Sequence, residues 1–537
     1  MLLSERITMQ DSCRLATDIY LPGDGKYPVL LMMTPYGKRG MGVLAQPICA
    51  AGYALVVQDV RGRYDSDGAF NPIAQERTDG PETVAWITAQ PWYDSGAGIG
   101  IIGLSYLSEV GLALAARCPE VRAMINIGGM AEFYDVGHRG GALTIHHFLP
   151  WTIITSRSPQ PSLHGPNWSQ VYATWPTAEA AGAAGLPNEL WSKLSVHPSR
   201  DRVWDDLSVR DDLPQVDIPI LHFSGWYDVC LGATLNLYRH FTGHASSPQQ
   251  LVLGPWSHNG VVSGARQLAG VDFGKDSQSR ALPRMLAWFD RYLKLDNSAP
   301  IDRSPVNVFI TGEQRWLLAG EWPPVASTVT NLYLGAGGGL EDQPGTLGQS
   351  SIVFDPADPA PTCGGSVWEF PQAGLEPGPT DQAGLLERSD TLCFTTAVIR
   401  EPLTLVGPAE CRLYAEVDTE TADFVVRLVD VHPNGEARWV ADGIVRGHYR
   451  QGDGQVVPVQ PGKVEEYRID LWAVGHAFLP GHRLALIITG SSFPKWDINR
   501  GSLQGDAQKR RQTVHFGAGA PSALSAHVMT MGATDRG

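Results

Sequence analysis

The sequence predicts an α/β domain built on a parallel sheet, interrupted by a helical insert and followed by an all-β domain. Three observations carry this reading. Residues 1–133 alternate short apolar runs with amphipathic stretches. The runs "YPVLLMMTPYG", "YALVVQDVRG", "GIGIIGLS" and "VRAMINIGG" each end in Gly or a polar turn, as fully buried parallel strands do. Between the second and third lies "QERTDGPETVAWITAQPW", with Val84 and Ile87 at helical spacing. Residues 134–216 then lose every strand signal and become rich in Ala and Trp, which reads as a helical cap. The alternation returns over 217–300 with "DIPILHFSGWYD", "QQLVLGPWSHNG" and the helix "SRALPRMLAWFDRYLKLD". From 301 to 537 the text turns into short alternating runs such as "TNLYLGAG", "CRLYAEVDT" and "HRLALIITGSS", separated by Gly, Pro, Asn and Asp. That spacing predicts a sandwich or jelly roll.

Composition bounds the function. The 537 residues are too many for one core, and 43% hydrophobic with 18% charged residues describes a folded chain. A formal net charge of -15 argues against nucleic acid or an anionic membrane surface as partner. No run approaches the roughly 18 apolar residues of a membrane span. The N-terminus "MLLSERITMQDSCRL" has no basic or apolar leader region. Seven cysteines at 13, 49, 118, 230, 363, 393 and 411 form no CxxC pair, so reduced thiols and a cytoplasmic location are expected. No cofactor and no metal is expected. "RYDSDGAFNP" places Ala69 where a calcium loop needs an oxygen ligand, and His146-His147 has no third ligand in view.

The chemistry starts at Gly103-Leu104-Ser105-Tyr106-Leu107. A sharp turn from a buried strand into a helix exposes one side chain at the sheet edge, beside the free N–H groups of the helix start. A serine there is a nucleophile if a base takes its proton; the bland reading is a helix cap. The partners decide between them. Asp228 follows the run "IPILHFSG" and His258 follows "QLVLGPWS", so both stand after a strand and downstream of Ser105, in the order Ser, acid, His. Asp217 precedes its strand and falls at the wrong sheet edge. In this arrangement His258 takes the Ser105 proton and Asp228 orients the ring. The expected oxyanion donors are the Tyr106 backbone N–H and the Tyr36 phenol in "TPYGKRG", a loop whose Pro35 has no N–H to offer.

With these words in place the whole chain resembles the cocaine-esterase-like (CocE/NonD) branch of the X-Pro dipeptidyl-peptidase family of serine hydrolases. "TPYGK", "VVQDVRGRYDSDGAF", "DGPETVAWITAQPW", "GLSYL", "GWYD", "LGPWSH" and "WFDRYLK" carry the likeness. The resemblance implies an α/β-hydrolase domain with a helical cap and a C-terminal jelly roll. It places the nucleophile on Ser105, the acid on Asp228, the base on His258 and the oxyanion tyrosine on Tyr36. It also implies acyl-pocket aromatics, for which Trp151, Trp226 and Phe148 are the candidates. One departure stands out: the family's glycine three places after the serine is Ser108, whose side chain is expected to crowd the helix–strand contact.

The expected activity is hydrolysis of a small-molecule carboxylic ester through an acyl-enzyme. Two alternatives stay open: an amidase or dipeptidyl-peptidase-like hydrolase on the same triad, and a catalytically silent carbohydrate-binding protein. Oligomeric state is left open, a homo-oligomer included.

Overall fold

The computed structural model describes residues 1–529 except 158, 453, 504 and 505. Ten strands form the first sheet: β1 Leu2–Thr8, β2 Arg14–Tyr20, β3 Val29–Thr34, β4 Ala54–Asp59, β5 Ile99–Leu104, β6 Val121–Ile127, β7 Ile220–Tyr227, β8 Gln249–Ser257, β9 Val306–Ile310 and β10 Arg315–Ala319. Their spatial order is 1-2-4-3-5-6-7-8-9-10. From β4 to β9 every neighbouring pair is parallel, so all these strands end at one edge. The central strands are buried along their whole length, which is why their sequences read as unbroken apolar runs. Helices α1 Glu76–Thr88, α2 Tyr106–Ala115, α4 Leu231–His244 and α5 Ala281–Tyr292 cover the faces, and α3 Ile145–Thr155 is the main cap helix.

Two features differ from the sequence reading. The cap holds a small hairpin, His138–Arg139 with Ala142–Leu143. Its turn is Gly140-Gly141, with φ of 51° and 79°, and a Cβ at Gly140 would lie 2.1 Å from the Ile444 carbonyl oxygen. Only glycine fits there. The hairpin carries Arg139 into the β domain, where its guanidinium lies 3.7 Å from the Trp472 ring centroid and bonds Asp442. Two-residue strands leave no periodic trace to read. The second difference concerns the boundary drawn at 300/301. Strands β9 and β10 lie beyond it yet complete the first sheet, with Val306 paired to Leu251. An apolar run such as "VNVFI" announces a buried strand without saying which sheet it joins.

The β domain proper begins at Ser327. Its eleven strands among the described residues form a jelly-roll sandwich around Phe424, Tyr467, Leu486 and their neighbours. One loop of this domain, through Trp368 and Phe370, packs back onto the α/β core.

Candidate active site

Ser105 sits between β5 and α2 with φ 55° and ψ -123°, a conformation costly for any residue with a Cβ. The surroundings hold it there. Its N–H donates to the Ile127 carbonyl at 2.8 Å, and its own carbonyl accepts from Ser108 N–H at 2.9 Å. The strand and helix approach so closely that a Cβ at Gly103 would stand 2.6 Å from Ser108 Cα. Ser108 is fully buried without the expected crowding, because it faces two glycines, Gly103 and Gly129. Its Oγ has no hydrogen-bond partner among the described residues. Since an unpartnered buried hydroxyl destabilises, Ser108→Ala is expected to raise stability by about 1 kcal/mol with turnover retained, measured by denaturant unfolding.

Asp228 and His258 lie at the ends of β7 and β8, which run parallel in register from Ile220/Gln249 to Gly225/Gly254 and shift by one residue before Tyr227/Ser257. Asp228 is fully buried. It accepts from Ser224 Oγ at 2.8 Å and from the Cys230 N–H at 2.9 Å, and it pairs with His258 Nδ1 at 2.8 Å. Burial opposes a charged imidazole at this position, but the Asp228 carboxylate outweighs it and raises the His258 pKa well above its usual value. Burial also opposes the carboxylate charge, and the imidazole with its companion donors still holds Asp228 below its ordinary range. Asp217, the rejected acid, accepts from Ser246 and Ser247 at the opposite edge.

Gly128 joins these residues to the serine. It follows Ile127, whose carbonyl holds Ser105, and a Cβ there would lie 2.9 Å from both Asp228 Oδ2 and His258 Cε1. Ser105, Asp228 and His258 thus stand beyond the ends of β5, β7 and β8, at one edge of the sheet, with Gly128 between the serine's anchor and the Asp228–His258 pair. His258 is bonded to Asp228 and faces the Cys230 thiol, and no hydrogen bond joins it to Ser105; such contacts often close only around a substrate.

Tyr36 lies in the loop after β3. Its hydroxyl accepts from Trp151 Nε1 at 3.0 Å, which leaves its proton free to be donated elsewhere. Burial pushes its pKa up to about 12, so the phenol stays protonated. The loop is held by Arg63, fully buried, which donates to the Pro35 carbonyl (2.8 Å) and to the Thr155 (2.8 Å) and Ile154 (3.0 Å) carbonyls at the end of α3. Tyr106 points its phenol away from the serine, donating to Glu76 at 2.6 Å and accepting from Ile73 N–H at 3.1 Å. Its backbone N–H, on the first residue of α2, has no acceptor within the helix.

The proposed pocket aromatics separate. Trp151 packs against Phe133 at 4.5 Å between centroids and stacks on Tyr106 at 6.5 Å, beside Tyr36. Phe148 stacks behind it at 5.8 Å, among Trp191 and Trp204 in the cap core. Trp226 is placed elsewhere, which corrects its assignment to the acyl pocket. Its indole donates to the Phe309 carbonyl at 2.7 Å and fills the seam with the β domain against Gly475. Two contributors were not foreseen. The β-domain loop brings Trp368 edge-on to His147 (5.6 Å), and Glu369 accepts from the N–H of Asn259, next to His258, at 3.0 Å. His146 and His147 are a packed pair. His146 Nε2 meets the Trp368 carbonyl at 3.1 Å, and burial lowers the two pKa values to about 4 and about 3.

Fold and site together define an enzyme of the α/β-hydrolase class, with a cap and an appended jelly roll. Residues 11–260 match the X-Pro dipeptidyl-peptidase (S15 family), and residues 299–525 match the X-Pro dipeptidyl-peptidase C-terminal non-catalytic domain. The chain is 31% identical over 530 residues to the cocaine esterase of Rhodococcus sp. (strain MB1 Bresler), covering 92% of this chain and 91% of that one. An aminopeptidase from a marine sediment archaeon (Thaumarchaeota) superposes with a TM-score of 0.87 at 27% identity, over 99% of this chain and 96% of the other. An α-amino acid ester hydrolase superposes with a TM-score of 0.87 at 26% identity, over 98% and 96%. The chain belongs to the X-Pro dipeptidyl-peptidase (S15) family, in its cocaine-esterase-like branch, and is a serine ester hydrolase.

Proposed function

We propose that the chain cleaves carboxylic esters through an acyl-enzyme on Ser105. His258 Nε2 takes the Ser105 proton as Oγ attacks the carbonyl, and Asp228, bonded to Nδ1, stabilises the imidazolium. The developing oxyanion is received by the Tyr36 hydroxyl and the Tyr106 N–H. The imidazolium then protonates the leaving alcohol, and water repeats the sequence to release the acid. The observation that carries this reading is the fully buried 2.8 Å His258–Asp228 pair at the same strand ends as a serine held at positive φ.

A shared intermediate gives the test. Two esters with one acyl group and different leaving alcohols are hydrolysed with added hydroxylamine. The ratio of hydroxamate to acid is expected to be the same for both; a ratio that depends on the alcohol contradicts an acyl-enzyme. Tyr36→Phe is expected to lower kcat by about 100-fold to 1,000-fold with the fold intact, because one oxyanion donor is lost. Turnover near wild type removes Tyr36 from the mechanism.

The likeness to an aminopeptidase favours a second reading, amide hydrolysis on the same groups. An ester and an amide sharing one acyl group, compared by kcat/KM, separate the two. Among the described residues no helix is long and apolar enough to cross a membrane. All seven cysteines are unpaired, which supports a cytoplasmic location, tested by cell fractionation.

A further inference from the structure

In the β domain, three imidazoles surround one buried carboxylate. Asp430 lies at the end of the strand Asp423–Val431 and is 2% exposed. His432, two residues on, falls on the same side by the two-residue period of a strand. His482 comes from the turn before the strand Arg483–Thr489, which pairs antiparallel with the first so that Val431 faces Arg483. His482 Nδ1 is 2.9 and 3.0 Å from the two Asp430 oxygens, and His432 Nε2 is 3.5 Å from Oδ2. One donor atom from each of the three residues lies within 4.8 Å of the others.

Two imidazoles and a carboxylate suit a borderline divalent ion such as Zn²⁺. Donors about 2.0–2.1 Å from such an ion, at tetrahedral angles, stand about 3.3 Å apart. The separations to Asp430, 2.9, 3.0 and 3.5 Å, bracket that value. His476 Nε2 contacts Asp430 Oδ2 at 3.2 Å while its Nδ1 meets Thr311 Oγ1 at 2.8 Å, so the carboxylate is oriented from behind as metal ligands usually are. His432 is one-third exposed, which gives an ion a path in and leaves room for a water as fourth ligand. The neighbouring Arg438 is engaged by Glu436 at 2.9 Å. For His482 to ligate through Nδ1, its proton moves to Nε2, a change of tautomer with no net loss of charge.

We propose that Asp430, His432 and His482 bind one divalent transition-metal ion of the Zn²⁺ type, clipping two turns of the β domain together. Through His476 and Thr311 the ion fastens this corner to the end of β9. Its role is structural, and ester hydrolysis does not require it.

The test uses the untagged full-length chain, stripped with chelator and dialysed against Zn²⁺ alone. Bound metal per chain, thermal midpoint and ester hydrolysis are measured for wild type, His432→Ala and His482→Ala. Wild type is expected to retain one Zn²⁺ with its midpoint raised by at least about 2 °C and its turnover kept. Both variants are expected to lose that equivalent and the shift; His432 stands on an exposed turn, and the metal-free midpoint checks that each variant folds. The proposal is overturned if wild type retains no stoichiometric ion. It is equally overturned if the variants keep the ion, or if binding tracks with loss of turnover, which would put the metal on the Asp228, Cys230 and His258 group instead.

Discussion

Ser105→Ala is expected to lower kcat/KM for an ester by at least about 10⁴-fold, leaving the residual rate that oxyanion donors and binding alone supply. The size follows from the role: the attacking oxygen is gone, and the neighbouring Ser108 hydroxyl is fully buried. The fold should persist, because the corner is fixed by backbone contacts of Ser105 with Ile127 and Ser108, not by its side chain. Backbone strain adds a second readout. At φ 55° a Cβ is unfavourable, so Ser105→Gly is expected to be more stable than Ser105→Ala by about 1 kcal/mol. Equal stabilities would mean the corner is not strained.

Asp228→Asn is expected to cost about 10⁴-fold in kcat by favouring the wrong tautomer of His258. It also carries a pH signature whose sign is fixed. The active ring is neutral, so protonation removes activity and kcat/KM falls as pH drops through the His258 pKa. In wild type the Asp228 carboxylate overcomes burial and raises that pKa, which places the acid limb above the ordinary histidine value of about 6.5. In Asp228→Asn the carboxylate that raises the pKa is gone, while burial and the Cys230 thiol remain, so the acid limb of the residual activity moves to lower pH. An acid limb that stays in place would show that Asp228 is not the partner that charges the ring.

The site was legible where each group sits at the end of its own apolar run. Ser105, Asp228 and His258 follow the runs that became β5, β7 and β8, and a parallel sheet brings such ends to one edge. Tyr36 was singled out because Pro35 has no N–H, and it stands in the loop just after β3. The supporting residues were not. Arg63 acts on carbonyls more than ninety positions away, and Glu369 reaches Asn259 across 110. No local pattern encodes contacts of that span. Trp226 misled because it stands two residues from Asp228, yet Gly475 of the β domain opens a slot into which its indole turns. The Asp430 group is half visible as an Asp-x-His step, but its third member comes from the turn before another strand. In the fold, β9 and β10 lie within the stretch of short runs from 301 onward, whose pattern does not say which sheet a strand joins.

The most direct measurement of the central claim is covalent labelling by a fluorophosphonate, read by intact mass and peptide mapping. One adduct per chain is predicted, on Ser105, absent from Ser105→Ala and strongly slowed in Asp228→Asn. An adduct on another residue, or undiminished labelling of Ser105→Ala, would contradict the account.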